Sequence, residues 1–249
     1  INTMIHAGID IGSRTIKLAV MENGSIIKTK KKINSYNPLV TCREILADVE
    51  FDTLTATGYG RHLIKNYIGC NIVSEIKAFA AGARMVSGQC RTVLDIGGQD
   101  TKAISIDGNG RLNRFEMNDK CAAGTGRFLE IMAAALGYRF EDFASEALSA
   151  EKAESINNTC TVFAESEVIS LVTQGVPRNE ISLGIHKSIA QRAVNLLKRV
   201  SVEKEILFAG GVALNRCMVS LIENELGCRI IIPEDPQVIG AIGCAFLNE

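Results

Sequence analysis

No CxxC pair occurs in this chain of 249 residues, although it holds eight cysteines. The nearest two, Cys217 and Cys228, stand 11 residues apart, which excludes a zinc ribbon or a ferredoxin-type cysteine run. Histidine is scarce and scattered (His6, His62, His186), which argues against a histidine-built metal site. An excess of one charge sign is missing too: 27 Lys and Arg against 28 Asp and Glu leave a formal net charge of -1. Without clustered cations to neutralise phosphates, neither nucleic acid nor an anionic membrane is an expected partner. The one cationic run, Lys28, Lys30, Lys31 and Lys32, reads as a solvated strand end. No apolar stretch approaches the ~20 residues of a membrane span. The opening Ile1-Asn2-Thr3-Met4 lacks a basic-then-apolar leader, so the expected location is the cytoplasm. In that reducing compartment a disulfide framework is not expected, and a chain of this size needs no staples.

What is present is a repeat. Ile9 to Lys17 reads I-D-I-G-S-R-T-I-K and Leu94 to Lys102 reads L-D-I-G-G-Q-D-T-K, 85 residues later. Each copy runs into an apolar strand-like stretch (Leu18 to Met21; Ala103 to Ile106) and then a turn (Glu22-Asn23-Gly24; Asp107-Gly108-Asn109-Gly110). A third strand follows each turn, at Ser25 to Ile27 and at Leu112 to Phe115. Each copy therefore predicts a three-stranded antiparallel meander opening an α/β domain, and two copies predict two similar domains with mixed sheets facing each other. The expected division is residues 1–88, completed by a C-terminal helix over 237–249, and residues 89–236.

Other elements fit. A short strand is expected at Thr53 to Thr57, and helices over Ser74 to Ser87, Ala122 to Leu136 and Arg178 to Val200, the last after Pro177. Glu205 to Phe208 reads as a buried strand ending in Gly210-Gly211, with a helix over Asn215 to Leu226. A last strand is expected at Arg229 to Ile232 before Pro233, then a closing apolar helix over Gln237 to Leu247.

An Asp-x-Gly turn between two strands suits phosphate chemistry. The glycine lets backbone N–H groups approach an oxyanion, and the aspartate can hold Mg²⁺, usually through water. One such loop is weak support. Two copies plus a strand–Gly-Gly–helix segment are much stronger, since tight turns alone leave the polar fillers Ser13, Thr15, Gln99, Asp100 and Thr101 unexplained.

These loops, with Phe208-Ala209-Gly210-Gly211-Val212-Ala213, resemble the actin/sugar-kinase/Hsp70 ATPase superfamily. Asn118-Asp119-Lys120-Cys121-Ala122-Ala123-Gly124-Thr125-Gly126-Arg127-Phe128 and Cys160-Thr161-Val162-Phe163-Ala164-Glu165-Ser166-Glu167 narrow the likeness. They are similar to segments of the activators of 2-hydroxyacyl-CoA dehydratases and the ATPase subunits of benzoyl-CoA reductases. The resemblance implies an actin-like ATPase fold with a nucleotide cleft between its halves. It departs at Arg14, where a small Thr or Ser is expected.

The cysteines sort by their surroundings. Cys121 directly precedes the helix expected from Ala122, and Cys160 precedes one expected from Thr161; a helix N-terminus favours a thiolate or an anionic ligand. Cys70, Cys90, Cys217, Cys228 and Cys244 have apolar or strand-like neighbours and read as core or incidental, while Cys42, in a polar stretch, reads as surface. Two thiolates cannot complete a [4Fe–4S] cluster, whereas a two-fold dimer brings four. The resemblance implies that arrangement: one cluster per homodimer, held by Cys121 and Cys160 of both chains.

It further implies ATP and Mg²⁺ (ADP after turnover) between the halves, with Asp10 and Asp95 near the metal. Gly12, Ser13, Thr15, Lys17, Gly97, Gly98 and Thr101 would surround the phosphates, Gly210 and Gly211 would line the adenosine, and Gly240-Ala241 would close the cleft. Gln99 or Asp100 would position the attacking water. The implied work is ATP-driven one-electron delivery, from a ferredoxin or flavodoxin to an iron–sulfur dehydratase or reductase. Two rivals share the fold. A small-molecule kinase needs an aspartate base, for which Asp119 beside Cys121 is the one obvious candidate; a non-catalytic nucleotide-dependent scaffold leaves both cysteine segments idle.

Overall fold

The computed structural model describes residues 4–119, 121–157 and 160–248. Lys120, Asn158 and Thr159, which figure in the segments around the two thiols, lie outside the described residues, as does the start of the chain before Met4.

Both meanders form. Strands β1 (Ile5–Ile11), β2 (Thr15–Glu22) and β3 (Ser25–Ile33) are antiparallel neighbours. The β2–β3 turn places Asn23 and Gly24 at φ 49° and 72°, the left-handed pair that a two-residue hairpin of this twist requires. After α1 (Pro38–Leu46), β4 (Thr53–Thr57) joins β1 in parallel; α2 (Arg61–Ile68) leads to the two-residue β5 (Asn71–Ile72). The sheet order is β3-β2-β1-β4-β5. Helix α3 (Glu75–Val86) then crosses to the second meander, β6 (Thr92–Ile96), β7 (Thr101–Ile106) and β8 (Leu112–Asn118). Its β7–β8 turn is tied by Asp107, whose Oδ1 accepts the N–H groups of Asn109 and Arg111 at 2.9 and 2.8 Å. Helices α4 (Gly126–Ala135), α5 (Phe143–Leu148), α6 (Thr161–Thr173) and α7 (Arg178–Lys198) precede β9 (Ile206–Ala209), which pairs in parallel with β6 to give the order β8-β7-β6-β9. A 3-10 turn (Gly211–Leu214), α8 (Arg216–Leu226) and α9 (Ile239–Phe246) complete the chain.

Three apolar cores stack these elements. One packs β1, β2 and β4 against α1 and α2, through Ile9, Leu18, Cys42, Ile45 and Ile64. A second packs β6 and β9 against α4 to α8. Between the two sheets lies the third, built from α3 and α9 with Ala19, Val93, Ile104 and Leu207. Helix α9 reads I-G-A-I-G-C-A-F, apolar all round, because it is enclosed on every side. Ile239 and Ile242 each contribute about 1.5–3 kcal/mol of burial there.

The structure departs from expectation in several places. Helix α4 starts at Gly126 rather than Ala122, because Gly124 takes φ 92° and breaks the run. Cys121 therefore sits in a turn five residues ahead of the helix, and the dipole argument does not apply to it. Cys42 is buried on the inner face of α1, not at the surface: its polar neighbours Arg43 and Glu44 point outward while Ile45 points in. The strand expected over 229–232 shrinks to a single bridge, Leu207 to Ile231. The lysine run belongs to a longer β3, where Lys30 pairs with Asp48, Lys32 with Glu44 and Lys31 with Asp235.

Candidate functional site

The cross-strand register places each repeat's aspartate opposite its lysine: Asp10 faces Lys17, and Asp95 faces Lys102. The connecting loops close alike, Gly12 N–H on Thr15 O (3.2 Å) and Gly97 N–H on Asp100 O (2.9 Å). Beyond each aspartate the parallel strand ends in a glycine at positive φ, Gly58 (87°) after β4 and Gly210 (86°) after β9. A Cβ on Gly58 would stand 2.7 Å from Asp10 Oδ1, and one on Gly210 would stand 2.5 Å from Asp95 Oδ1. The duplicated unit is thus a strand–turn–strand aspartate with a glycine shelf beside it.

Both units open on one cavity of about 520 Å³. Of the residues named from sequence, Asp10, Gly12, Ser13, Thr15, Lys17, Asp95, Gly97, Gly98, Gln99, Asp100, Gly210 and Gly211 line it. Thr101 lies behind the wall, its hydroxyl donating to Gly124 O at 2.9 Å. Gly240 and Ala241 are buried in α9, with Gly240 against the Phe79 ring, and do not line the cavity. Cys121 and Cys160 are also outside it, and both are exposed; the other six cysteines are buried or half-buried. Cys160 is the residue before α6, as expected. Asp119, the aspartate a kinase reading needs, is exposed and is not part of the cavity wall.

Two residues central to the site were not singled out from sequence. Lys102 is 2% exposed and its Nζ meets Asp95 Oδ2 at 3.0 Å, Asp100 Oδ2 at 2.7 Å and Glu75 Oε2 at 3.0 Å. Its position in the repeat, matching Lys17, was the available signal. Glu75 opens α3 one residue after the capping Ser74, and reads in sequence as an ordinary helix-start acid. Burial would pull the Lys102 ammonium down, but the carboxylates of Asp95, Asp100 and Glu75 outweigh it and hold the pKa well above the ordinary lysine value. Burial pushes Asp95 up to about 6 despite Lys102, and raises Glu75 as well. Three carboxylates against one ammonium leave two negative charges over when all are ionised, and Arg61, 3.9 Å from Glu75, offsets one of them. Asp95 Oδ1 is buried and finds no hydrogen-bond partner among the described residues. That oxygen and the surplus charge suit a hydrated divalent cation. Among the described residues no group of three His, Cys, Asp or Glu is placed to hold a metal ion directly, and Lys102 occupies the centre of the one carboxylate cluster described above.

The second loop is wired to the segment that bears Cys121. Gly97 O and Gly98 O accept the first N–H groups of α4, from Gly126 at 2.9 Å and Arg127 at 3.0 Å. Asn118, opposite Thr101 in the β7–β8 register, donates to Cys121 O (3.2 Å) and Ala123 O (3.3 Å). On the far wall, Asn215 caps α8 through Met218 N–H at 3.0 Å and reaches His186 Nε2 at 3.0 Å. His186 Nδ1 lies 2.7 Å from the Ser182 carbonyl, so Nδ1 carries the proton and Nε2 accepts from Asn215. Burial drops this imidazole to about 4, which keeps it neutral.

The chain as a whole is similar to known proteins. The activator of lactoyl-CoA dehydratase from Anaerotignum propionicum is 40% identical over 252 residues, spanning 98% of this chain and 96% of that protein. The solved activator of 2-hydroxyisocaproyl-CoA dehydratase from Clostridium difficile, with bound ADPNP, superposes with a TM-score of 0.88 at 37% identity, covering 98% of this chain and 94% of that one. A ROK family glucokinase from Streptomyces griseus, only 14% identical, covers 98% of both chains at a TM-score of 0.63 and shows the shared actin-like, sugar-kinase type of fold alone. Residues 7–248 match one family throughout, and the chain belongs to the BadF/BadG/BcrA/BcrD ATPase family.

Proposed function

We propose that this chain is an ATP-hydrolysing reductive activator, which drives one-electron transfer to an iron–sulfur partner enzyme such as a 2-hydroxyacyl-CoA dehydratase, with a ferredoxin or flavodoxin as donor. The observation that carries the reading is the pair of hydrogen bonds from Gly126 and Arg127 to Gly97 and Gly98. They make the start of α4, and the Cys121 turn ahead of it, follow any movement of the second phosphate loop. Loss of a terminal phosphate changes what that loop can contact, so nucleotide state reaches the exposed thiols.

In this reading Asp10 and Asp95 hold Mg²⁺ through water, and the Gly12-Ser13 and Gly97-Gly98 backbones cradle the phosphates. Lys17 and Lys102 fix the aspartates, Gly210 and Gly211 border the nucleoside, and Gln99 or Asp100 orients the attacking water. A [4Fe–4S] cluster, when bound, supplies the one-electron chemistry, and its ligands would be Cys121 and Cys160 of two chains. Their fit rests on donor chemistry: these are the two exposed thiols of the eight. A second copy is supported by the apolar face beside Cys160, where Val162, Phe163 and Ile169 are 68%, 63% and 53% exposed. The division into residues 1–88 with 237–249, and 89–236, belongs to the same reading, with α3 and α9 as the layer between.

The test is anaerobic purification with iron, acid-labile sulfide and molar mass measured together, for the wild type, Cys121→Ala and Cys160→Ala. About two irons per chain in a dimer, lost in both variants, is the expected result. An iron-free monomer that still hydrolyses ATP would end the electron-transfer part of the reading.

A further inference from the structure

Arg14 breaks the pattern of small residues in the first loop, and it bridges the cavity. Its Nη2 reaches Glu130 Oε1 on α4 at 2.9 Å. Glu130 Oε2 in turn takes Arg127 Nη1 at 2.9 Å. The stem of Arg14 lies over the second loop, where a Cβ on Gly98 would stand 2.9 Å from Arg14 Cγ. Both Arg14 and Glu130 line the cavity with Asp10, Ser13 and Asp95. Helix α4 is therefore held twice: at its first turn by the second loop's carbonyls, and at Glu130 by the first loop's arginine.

The two holds differ in kind. The first is made of backbone hydrogen bonds, whereas the Arg14–Glu130 pair is 58% and 24% exposed, the class of ion pair that is weak in water. A guanidinium fork fits a phosphate as well as a carboxylate, and a terminal phosphate offers more charge than Glu130 does. We infer that Arg14 is a terminal-phosphate-selective residue of the nucleotide site: it exchanges Glu130 for the last phosphate of a nucleoside triphosphate, and so frees α4 from the first loop only in the triphosphate state. This rests on the reading of the cavity as an ATP site. With a diphosphate the pair stays closed. After the exchange Glu130 keeps Arg127, so no carboxylate is stranded.

The test is calorimetric titration of the purified chain with ADP and with the non-hydrolysable β,γ-imido ATP, for the wild type, Arg14→Gln, Arg14→Lys and Glu130→Gln. Arg14→Gln is expected to weaken the triphosphate about tenfold and the diphosphate little, because a charge-assisted phosphate contact is lost. Glu130→Gln is expected to tighten the triphosphate about threefold, because the competitor for Arg14 is gone. Arg14→Lys, with the charge but no fork, should fall between wild type and Arg14→Gln. Shifts of the same sign and size for Arg14→Gln and Glu130→Gln would mean a static strut and overturn the assignment alone. A wild type that binds neither nucleotide would overturn the ATP reading and the assignment with it.

Discussion

The two repeats share a backbone and differ in burial. In the first, Lys17 meets one carboxylate, Asp10 at 3.2 Å, and is 14% exposed. In the second, Lys102 is 2% exposed and meets three. The register, the loop closure and the positive-φ glycine are the same in both. The difference comes from α3, which brings Glu75 to the second unit, and from Asp100 standing where the first loop has Thr15. A duplicated scaffold has thus become one near-neutral and one charge-dense unit, and the surplus negative charge lies in the second.

The sharpest way to break this comparison is to remove each lysine. Lys102→Met strands two buried carboxylates and the half-buried Glu75, and should cost about 3–5 kcal/mol in denaturant unfolding of the nucleotide-free protein. Lys17→Met leaves a single buried carboxylate, Asp10, without its partner and should cost less, about 1–3 kcal/mol. Equal losses would mean that the halves are energetically alike.

Titration sharpens the contrast. Asp95 is raised from an ordinary 3.8 to about 6 by burial, so the folded state binds more protons than the unfolded one between those values. Its contribution is greatest below about pH 4 and is lost as pH rises to about 6. His186 is lowered from 6.5 to about 4 by burial, so its contribution is present above pH 6.5 and lost as pH falls toward 4. The two oppose each other within the second half, each by at most about 3 kcal/mol. Stability followed from pH 4 to 6.5 without metal should rise more steeply with pH in Asp95→Asn than in the wild type. In His186→Gln it should fall. Unchanged slopes in both variants would mean that neither group titrates as its burial implies.

The glycine shelves probe what the halves share. Gly58→Ala and Gly210→Ala both place a Cβ at positive φ against a carboxylate oxygen, and each should cost about 1–3 kcal/mol and weaken nucleotide binding. A tolerated Gly58→Ala with a disrupted Gly210→Ala would show that the first unit is free to relax and the second is not.

Sequence legibility followed the same divide. The repeats and the hairpins were readable because alternating apolar runs and Asn-Gly or Asp-Gly turns are local signals, and the strands β4 and β9 were readable as strands, though not their parallel pairing. The loop residues that line the cavity were readable too, since the repeated motif carries them. Helices α1, α2 and α5 escaped because they are short, nine residues or fewer. Glu75 escaped because its role exists only once α3 packs against the second unit, and a glutamate after a serine cap already has a sufficient local explanation. Cys42 was misjudged for a related reason: neighbours along the chain are not neighbours across a helix face. Gly240 and Ala241 followed a motif into the wrong environment, because an apolar helix signals burial and not what it is buried against.

The smallest expected effect separates the thiols themselves. Cys121→Ser and Cys160→Ser alter exposed side chains, and in iron-free protein each should change unfolding stability by no more than about 0.5 kcal/mol. Cys42→Ser puts a hydroxyl into the core between α1 and β2, where the thiol itself is pushed up to about 11 by burial, and should cost about 1–3 kcal/mol. If Cys121→Ser instead matched Cys42→Ser in iron-free protein, the Cys121 turn would owe its conformation to that thiol's packing, and the exposed pair would no longer stand apart as ligands. A neutral change in stability together with loss of iron is the pattern that assigns these two thiols to the cluster and leaves the other six to the fold.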